Sequence, residues 1–245
     1  MASINTNYGA SIALQNLNKT NSELERTQNR INTGMKVSSA KDSGAIYSIA
    51  TSQRAAAASQ DAVRAGLQRT QSITDVALAA GDTITAALEE MKGLAVSIAG
   101  STGAAQTSYL AEYNALGTEI ASAITGASFD GVNSLTALGS NAAITAVNTG
   151  SITAANATTA NVDAAIAATT STLSTLGTQS KSLGRQITFV NKYQDALEAG
   201  VGNLVDADLA KESAKLTALQ TKQQLGVQAL SIANSSSQTL LSLFR

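Results

Sequence analysis

Leu14-Gln-Asn-Leu-Asn-Lys-Thr-Asn-Ser-Glu-Leu-Glu-Arg-Thr-Gln-Asn-Arg-Ile-Asn-Thr-Gly-Met35 is the stretch that decides the fold. Leu17, Leu24 and Ile31 recur every seven residues, and Leu14 and Met35 fall at the companion position, with Asn21 and Gln28 between them. Apolar residues spaced alternately three and four apart lie on one narrow helix face, the pattern of a helix that pairs with another helix. Polar residues within such a seam reduce its stability but fix its register. The pattern predicts a helix over 3–33, ended by Asn32-Thr33-Gly34, with Gly34 able to take the left-handed conformation of a helix C-terminus.

The same periodicity extends outward from this stretch. Residues 35–44 have no period and read as an ordered connector. A long helix is predicted over 45–99, where Val63, Leu67, Ile73, Val76, Ala80, Ile84, Leu88, Met91, Ala95 and Ile98 step by three or four nearly throughout. Gly100 and Gly103 end it, and a shorter helix over 104–126 carries Leu110, Tyr113, Leu116 and Ile120. Phe129-Asp-Gly-Val132 is a hairpin signal, because Asp-Gly supplies the positive φ angles of a tight β-turn. A second hairpin is predicted from Ile144–Val147 and Ser151–Thr153 around Asn148-Thr149-Gly150. Residues 136–176 form a tract rich in Ala, Thr, Ser and Asn with few charges. Helical spacing returns over 160–200 through Leu176, Leu183, Ile187, Val190, Leu197 and Val201. A phase slip near Leu204, Val205 and Leu209 resembles a stutter. The last segment carries Leu216, Leu219, Leu225, Leu230, Leu240, Leu241 and Leu243. The expected fold is mainly α: an elongated antiparallel coiled-coil rod formed by the N- and C-terminal halves, with a small β-hairpin region in the middle.

Composition agrees with such a rod and excludes much else. The 245 residues include no proline, so no helix interior is interrupted by a missing N–H. Hydrophobic residues make up 44% of the chain but aromatics only 3%, which suits closely spaced helices more than a bulky globular interior. Histidine and cysteine are absent, which removes the common zinc, haem and iron–sulfur ligand sets, the Ser-His-Asp and Cys-His catalytic arrangements, and any disulfide. The remaining Lys, Ser, Asp and Glu form no recognisable catalytic constellation, so neither an enzyme nor a cofactor is expected. Sixteen basic and seventeen acidic residues give a net charge of −1 with no basic stripe, which argues against nucleic acid as a partner. No apolar run approaches the roughly 20 residues that span a bilayer, and Met1-Ala-Ser-Ile-Asn5 lacks the features of a cleavable secretory signal. Periodicity alone leaves open whether the terminal leucine seams pair within one chain or between chains. Arg26, Arg30, Asp206, Asp208 and Glu212 are likewise open between ion pairing across helices or subunits and ordinary solvated charge.

Several separated motifs resemble the bacterial flagellin family. Leu17-Asn-Lys-Thr-Asn-Ser-Glu-Leu24, Arg30-Ile-Asn-Thr-Gly34 and Ser39-Ala-Lys-Asp42 are similar to its N-terminal signature. Leu225-Gly226, Ala233-Asn234 and Leu240-Leu-Ser-Leu-Phe-Arg245 are similar to its C-terminal partner, and Phe129-Asp-Gly-Val-Asn-Ser-Leu135 to the turn after its second rod helix. The likeness spans both ends and the helical rod, in a small form without outer surface domains and alphaproteobacterial in style. It implies an inner filament-core domain from 1–43 and 206–245, and an outer rod with β-hairpins over 44–205. The core helices would assemble through Leu14, Leu17, Leu24, Ile31, Leu216, Leu219, Leu225, Leu230, Leu240 and Leu243.

The implied function is a secreted structural subunit of the extracellular flagellum, exported unfolded by the type III apparatus and folding on assembly. Its partners would be many copies of itself, an export chaperone that binds the C-terminal segment, and the filament cap and hook–filament junction proteins. No nucleic acid and no membrane insertion are implied. The other readings are the hook–filament junction protein itself and a secreted coiled-coil adaptor. Glu89-Glu-Met-Lys-Gly93-Leu94 aligns with the patch that the animal innate flagellin receptor reads in many members. Those members carry a basic residue where Glu90 stands and an acidic one at Gly93, while Leu94 is kept, so a weak agonist is expected. The Ser/Thr-rich tract is open between an unmodified polar loop and O-glycosylation at Thr145, Thr149, Ser151 or Thr153.

Overall fold

The computed structural model describes the backbone of residues 7–242 and the side chains of residues 7–235. In chain order the described elements are α1 (Tyr8–Thr33), α2 (Gly44–Gly100), α3 (Ala104–Gly126), β1 (Ser128–Phe129), β2 (Val132–Asn133), α4 (Thr136–Gly139), α5 (Ala142–Asn148), α6 (Thr159–Val205) and α7 (Leu209–Ser242). The mainly helical class with a small central hairpin is as the periodicity indicates. The chain forms two compact units. One combines the N-terminal part through Ala58 with the C-terminal part from Gln194, and the other is Ser59–Tyr193.

In the Ser59–Tyr193 unit, α2 and α6 run antiparallel. Lys92 Nζ meets Asp163 Oδ1 at 2.6 Å, and Ser180 Oγ donates to Asp75 Oδ1 at 3.3 Å. Ala77, Ile84, Leu88, Met91, Ala95 and Ile98 of α2 are buried at steps of three, four or seven, so one α2 face supplies a continuous apolar strip. Val162, Ala165 and Leu176 of α6 and Tyr113, Ile120 and Ile124 of α3 join it in a single core. Gly117 of α3 lets α5 approach, because a Cβ there would stand 2.6 Å from the Val147 carbonyl oxygen.

The hairpin is where Asp-Gly puts it. Phe129 pairs with Val132 and Ser128 with Asn133, and Asp130 and Gly131 have φ of 50° and 74°. Both turn residues are left-handed, as a two-residue turn matched to strand twist requires. Arg69 Nε holds Asp130 Oδ2 at 2.6 Å, which ties the turn to α2.

Two expectations are corrected. The second hairpin over 144–153 does not form, and residues 142–148 are helix α5 instead. Asn141 caps it by accepting from the Ala143 N–H at 2.9 Å. Ile144 and Val147 are both fully buried. Three residues apart, they share a face of a helix but would point to opposite faces of a strand. Asn114 takes the place of the missing strand: its side-chain amide donates to the Ile152 carbonyl at 3.1 Å and accepts from the Ile152 N–H at 2.7 Å. The phase slip near Leu204 is a full break between α6 and α7 rather than a stutter in one helix. Asp208 restarts the chain as α7 by accepting from the Ala210 and Lys211 N–H groups at 3.0 and 3.1 Å.

Candidate assembly surfaces

The paired termini are built by α1 and α7, which run antiparallel. Asn7 accepts from the Ala10 N–H at 3.0 Å, capping α1, and its Nδ2 donates to the Ala233 carbonyl at 2.8 Å. Gln223 Nε2 donates to Asn21 Oδ1 at 2.9 Å, and Arg30 Nη1 meets Glu212 Oε1 at 3.0 Å. The inward positions of α7 are Glu212, Leu216, Leu219, Gln223, Gly226, Leu230 and Ala233, a regular alternation of four and three. On α1 the inward line is Ala10, Ala13, Leu17, Thr20, Leu24, Thr27 and Ile31.

That line corrects two of the companion positions, while Asn21 is half-buried and reaches Gln223. Leu14 is 49% exposed and Gln28 is also exposed, whereas Ala13, Thr20 and Thr27, one residue earlier, face α7. Gly226 of α7 makes room for Leu17, since a Cβ on Gly226 would stand 3.3 Å from Leu17 Cδ1. Among the proposed core positions, Leu219 is buried and Leu17, Leu24, Ile31, Leu216 and Leu230 are half-buried in this seam. Leu225 lies outside it, 58% exposed. The side chain of Leu240, and Leu243 as a whole, lie outside the described residues.

The seam is only partly satisfied. Thr27 Oγ1, Arg30 Nε and Glu212 Oε2 are buried with no hydrogen-bond partner. Arg30 and Glu212 therefore touch through one contact rather than a two-pronged fork. Of the other charged candidates, Arg26 and Asp206 are exposed, and Asp208 is the α7 cap.

The two helix breaks in this unit lie side by side. The Lys36 and Val37 N–H groups donate to the Val205 carbonyl at 2.6 and 3.2 Å, and the Ala207 N–H donates to Gly34 O at 2.9 Å. Gly34 has φ of 69°, the left-handed cap expected of it. Further along the connector, Asp42 accepts from the backbone N–H and hydroxyl groups of Ser38 and Ser39. Loss of hydration pushes the Asp42 pKa up, but these four bonds outweigh it and hold the carboxyl below its usual range. Gly34, the aperiodic stretch 35–44 and the phase slip near Leu204 mark the two breaks in the sequence, but nothing local says that they lie side by side.

Outside the seam, both terminal helices keep apolar side chains on the surface. On α1 these are Tyr8, Ile12 and Leu14, and on α7 Leu209, Leu225, Val227 and Ile232, the last 69% exposed. Of the receptor-patch positions, Glu89, Glu90 and Gly93 are exposed and Leu94 is half-buried against the core. Thr145, Thr149, Ser151 and Thr153 are all exposed.

A chain of long helices whose two ends pair through a thin seam, and whose terminal helices are apolar on both sides, defines a helical structural protein of the assembling kind. Residues 4–140 match the model of the bacterial flagellin N-terminal helical region, and residues 159–244 that of the bacterial flagellin C-terminal helical region. The chain is 51% identical over 269 aligned residues to flagellin FljK of Caulobacter vibrioides and 52% over 270 to its flagellin FljN, each alignment covering 99% of this chain and 98% of the relative. It is 37% identical over 281 to a flagellin of Brucella melitensis, with both chains fully covered. The chain belongs to the bacterial flagellin family. It is a structural subunit that polymerises into the extracellular flagellar filament.

Proposed function

We propose that filament growth runs through the terminal helix pair: α1 and α7 cover one another through the heptad seam, and their outward apolar residues are covered by neighbouring copies. The carrying observation is Leu225, Val227 and Ile232, three large aliphatic residues within eight positions of α7 that are each more than half exposed. In an isolated chain they face water, and in a polymer the same residues gain burial. The partly satisfied seam supports a second step. With Thr27 and the Arg30–Glu212 pair short of partners, the helix pair alone is marginal and is completed by assembly.

Amide exchange on the monomer and on the filament tests this reading. Residues 8–33 and 209–235 exchange rapidly in the monomer and become protected in the filament. Equal, strong protection of both helices in the free monomer refutes folding on assembly.

The same marginal ends suit export of an unfolded chain through the type III apparatus, with a chaperone holding the C-terminal segment and with the cap and junction proteins meeting the filament's two ends. The exposed Glu89–Glu90 pair supports weak agonism at the innate receptor, because a basic residue at position 90 in other members is replaced by the opposite charge. Reporter-cell activation equal to that by an enterobacterial flagellin overturns this.

A further inference from the structure

Two outer faces of the Ser59–Tyr193 unit take no part in its core and carry opposite charge. On α2 the positions Asp75, Ala79, Asp82, Ala86, Glu89 and Gly93 alternate by four and three, and all are exposed. Any helix face recurs at that spacing, so what marks this one is its residue types. The large positions in it are all acidic and the intervening ones are Ala or Gly, so the stripe is a smooth ridge with a negative charge every second turn. On α6, Lys181, Arg185 and Lys192 are exposed along one stripe. Beside them Phe189 and Tyr193 stack on one another, ring centres 6.0 Å apart and planes 9° from parallel. Phe189 is 67% exposed. Three phenylalanines occur in the whole chain, and this one faces water with positive charges around it. Among the described residues, Asp82, Glu89, Lys181, Arg185 and Lys192 have no ion-pair partner within the chain.

The two stripes match in spacing. Asp75, Asp82 and Glu89 are seven residues apart, as are Arg185 and Lys192, which on either helix is roughly 10 Å. They do not meet within one chain. Asp75 stands beside Ser180 and Lys92 beside Asp163, so the acidic stripe lies level with about residues 166–180 of α6 and the basic stripe continues beyond it. The stripe centres are offset along the helices by about 13 residues, roughly 20 Å.

We propose that the acidic α2 face of one copy docks on the basic, aromatic α6 face of the next copy, displaced along the helix axis. Acidic rungs meet Arg185 and Lys192, and the small residues between them leave room for Phe189 and Tyr193. Because the two faces differ, the contact is heterologous and does not close on itself, as an open polymer requires. The inference rests on the chain being a filament subunit and is separate from the terminal helices.

The test uses the full-length chain in seeded polymerisation, with the residual soluble concentration as the readout. The D82K/E89K and R185E/K192E variants each raise that concentration about tenfold at low salt, since like charges then face one another. The four-fold swap, carrying both pairs, returns it to within about threefold of the parent, since opposite charges meet again with signs exchanged. F189A, neutral in charge, raises it severalfold with an unchanged monomer circular dichroism spectrum. Raising the salt weakens the parent's growth and relieves the charge-reversed variants, as screening demands. Parental growth of either reversed variant, a four-fold swap as poor as the product of its halves, or a closed dimer in unseeded protein overturns the proposal. Alanine variants at Leu225, Val227 and Ile232 in the same assay report separately on the terminal helices.

Discussion

Replacing Leu225, Val227 and Ile232 together with alanine separates what α7 contributes to the chain from what it contributes to the filament. A large aliphatic side chain gains roughly 1.5–3 kcal/mol when moved from full exposure to full burial. These three are 58%, 53% and 69% exposed, so more than half of that gain is still unrealised in the isolated chain. Truncation to alanine leaves the Cβ in place, and a loss of about 1 kcal/mol per residue in the filament is a reasonable value. The monomer loses little, since alanine is the better helix former and the removed atoms mostly face water. The sum, about 3 kcal/mol, corresponds to a roughly 100-fold higher critical concentration for growth. Short filament seeds are mixed with variant monomer, pelleted at steady state, and the soluble protein is measured. Unchanged monomer circular dichroism together with the 100-fold rise is the expected pair of results. A critical concentration within about threefold of the parent would refute the assignment of this face to subunit contacts.

Gly117→Ala places a Cβ 2.6 Å from the Val147 carbonyl oxygen, a backbone atom that cannot swing aside, so α5 must shift. Urea unfolding is expected to show a loss of about 1–3 kcal/mol, whereas Gly66→Ala, exposed in mid-α2 with nothing near its Cβ, gains about 0.5–1 kcal/mol. Thr27→Val keeps the shape of the side chain but removes a buried hydroxyl that has no partner, and slower amide exchange across α1 in the monomer is the expected result. Burial pushes the Tyr113 phenol up to about 12 from an ordinary 10. The unfolded chain therefore ionises first, and stability present below pH 10 is lost as pH rises from 10 towards 12. Tyr113→Phe removes that alkaline loss, and thermal melts across the window show a flatter dependence than the parent.

Much of the helical layout was legible because periodicity and breakers are local. Gly34, Gly100 and Gly103 mark ends that the helices respect, and Asp130-Gly131 makes its turn wherever the chain carries it. Residues 142–153 read as a hairpin in the sequence because short apolar runs have no decisive period. Ile144 and Val147 fit either element until the core chooses which face they share. Asn114, thirty-eight residues earlier, then supplies the hydrogen bonds a partner strand would have made. The Leu17–Leu24–Ile31 line of the terminal seam lies where its spacing puts it, and its companion line sits one residue earlier than Leu14 and Gln28. Leu17, Leu24 and Ile31 accept a companion line three or four residues away, and size alone favours Leu14 over Ala13.

By itself the sequence determined the long helices, the hairpin turn and the absence of histidine and cysteine chemistry, together with the motifs at both ends that mark the family. These properties belong to neighbouring residues or to residue type, and no long-range contact is needed to express them. Tertiary structure decided which side of each helix is spent inside the chain. Packing α1 on α7 made Ala13 and Thr27 interior and left Leu14, Leu225 and Ile232 outside, and packing α2 on α6 separated the acidic stripe from the basic one. A seven-residue repeat fits more than one face of a helix, and only the partner it packs against removes the ambiguity.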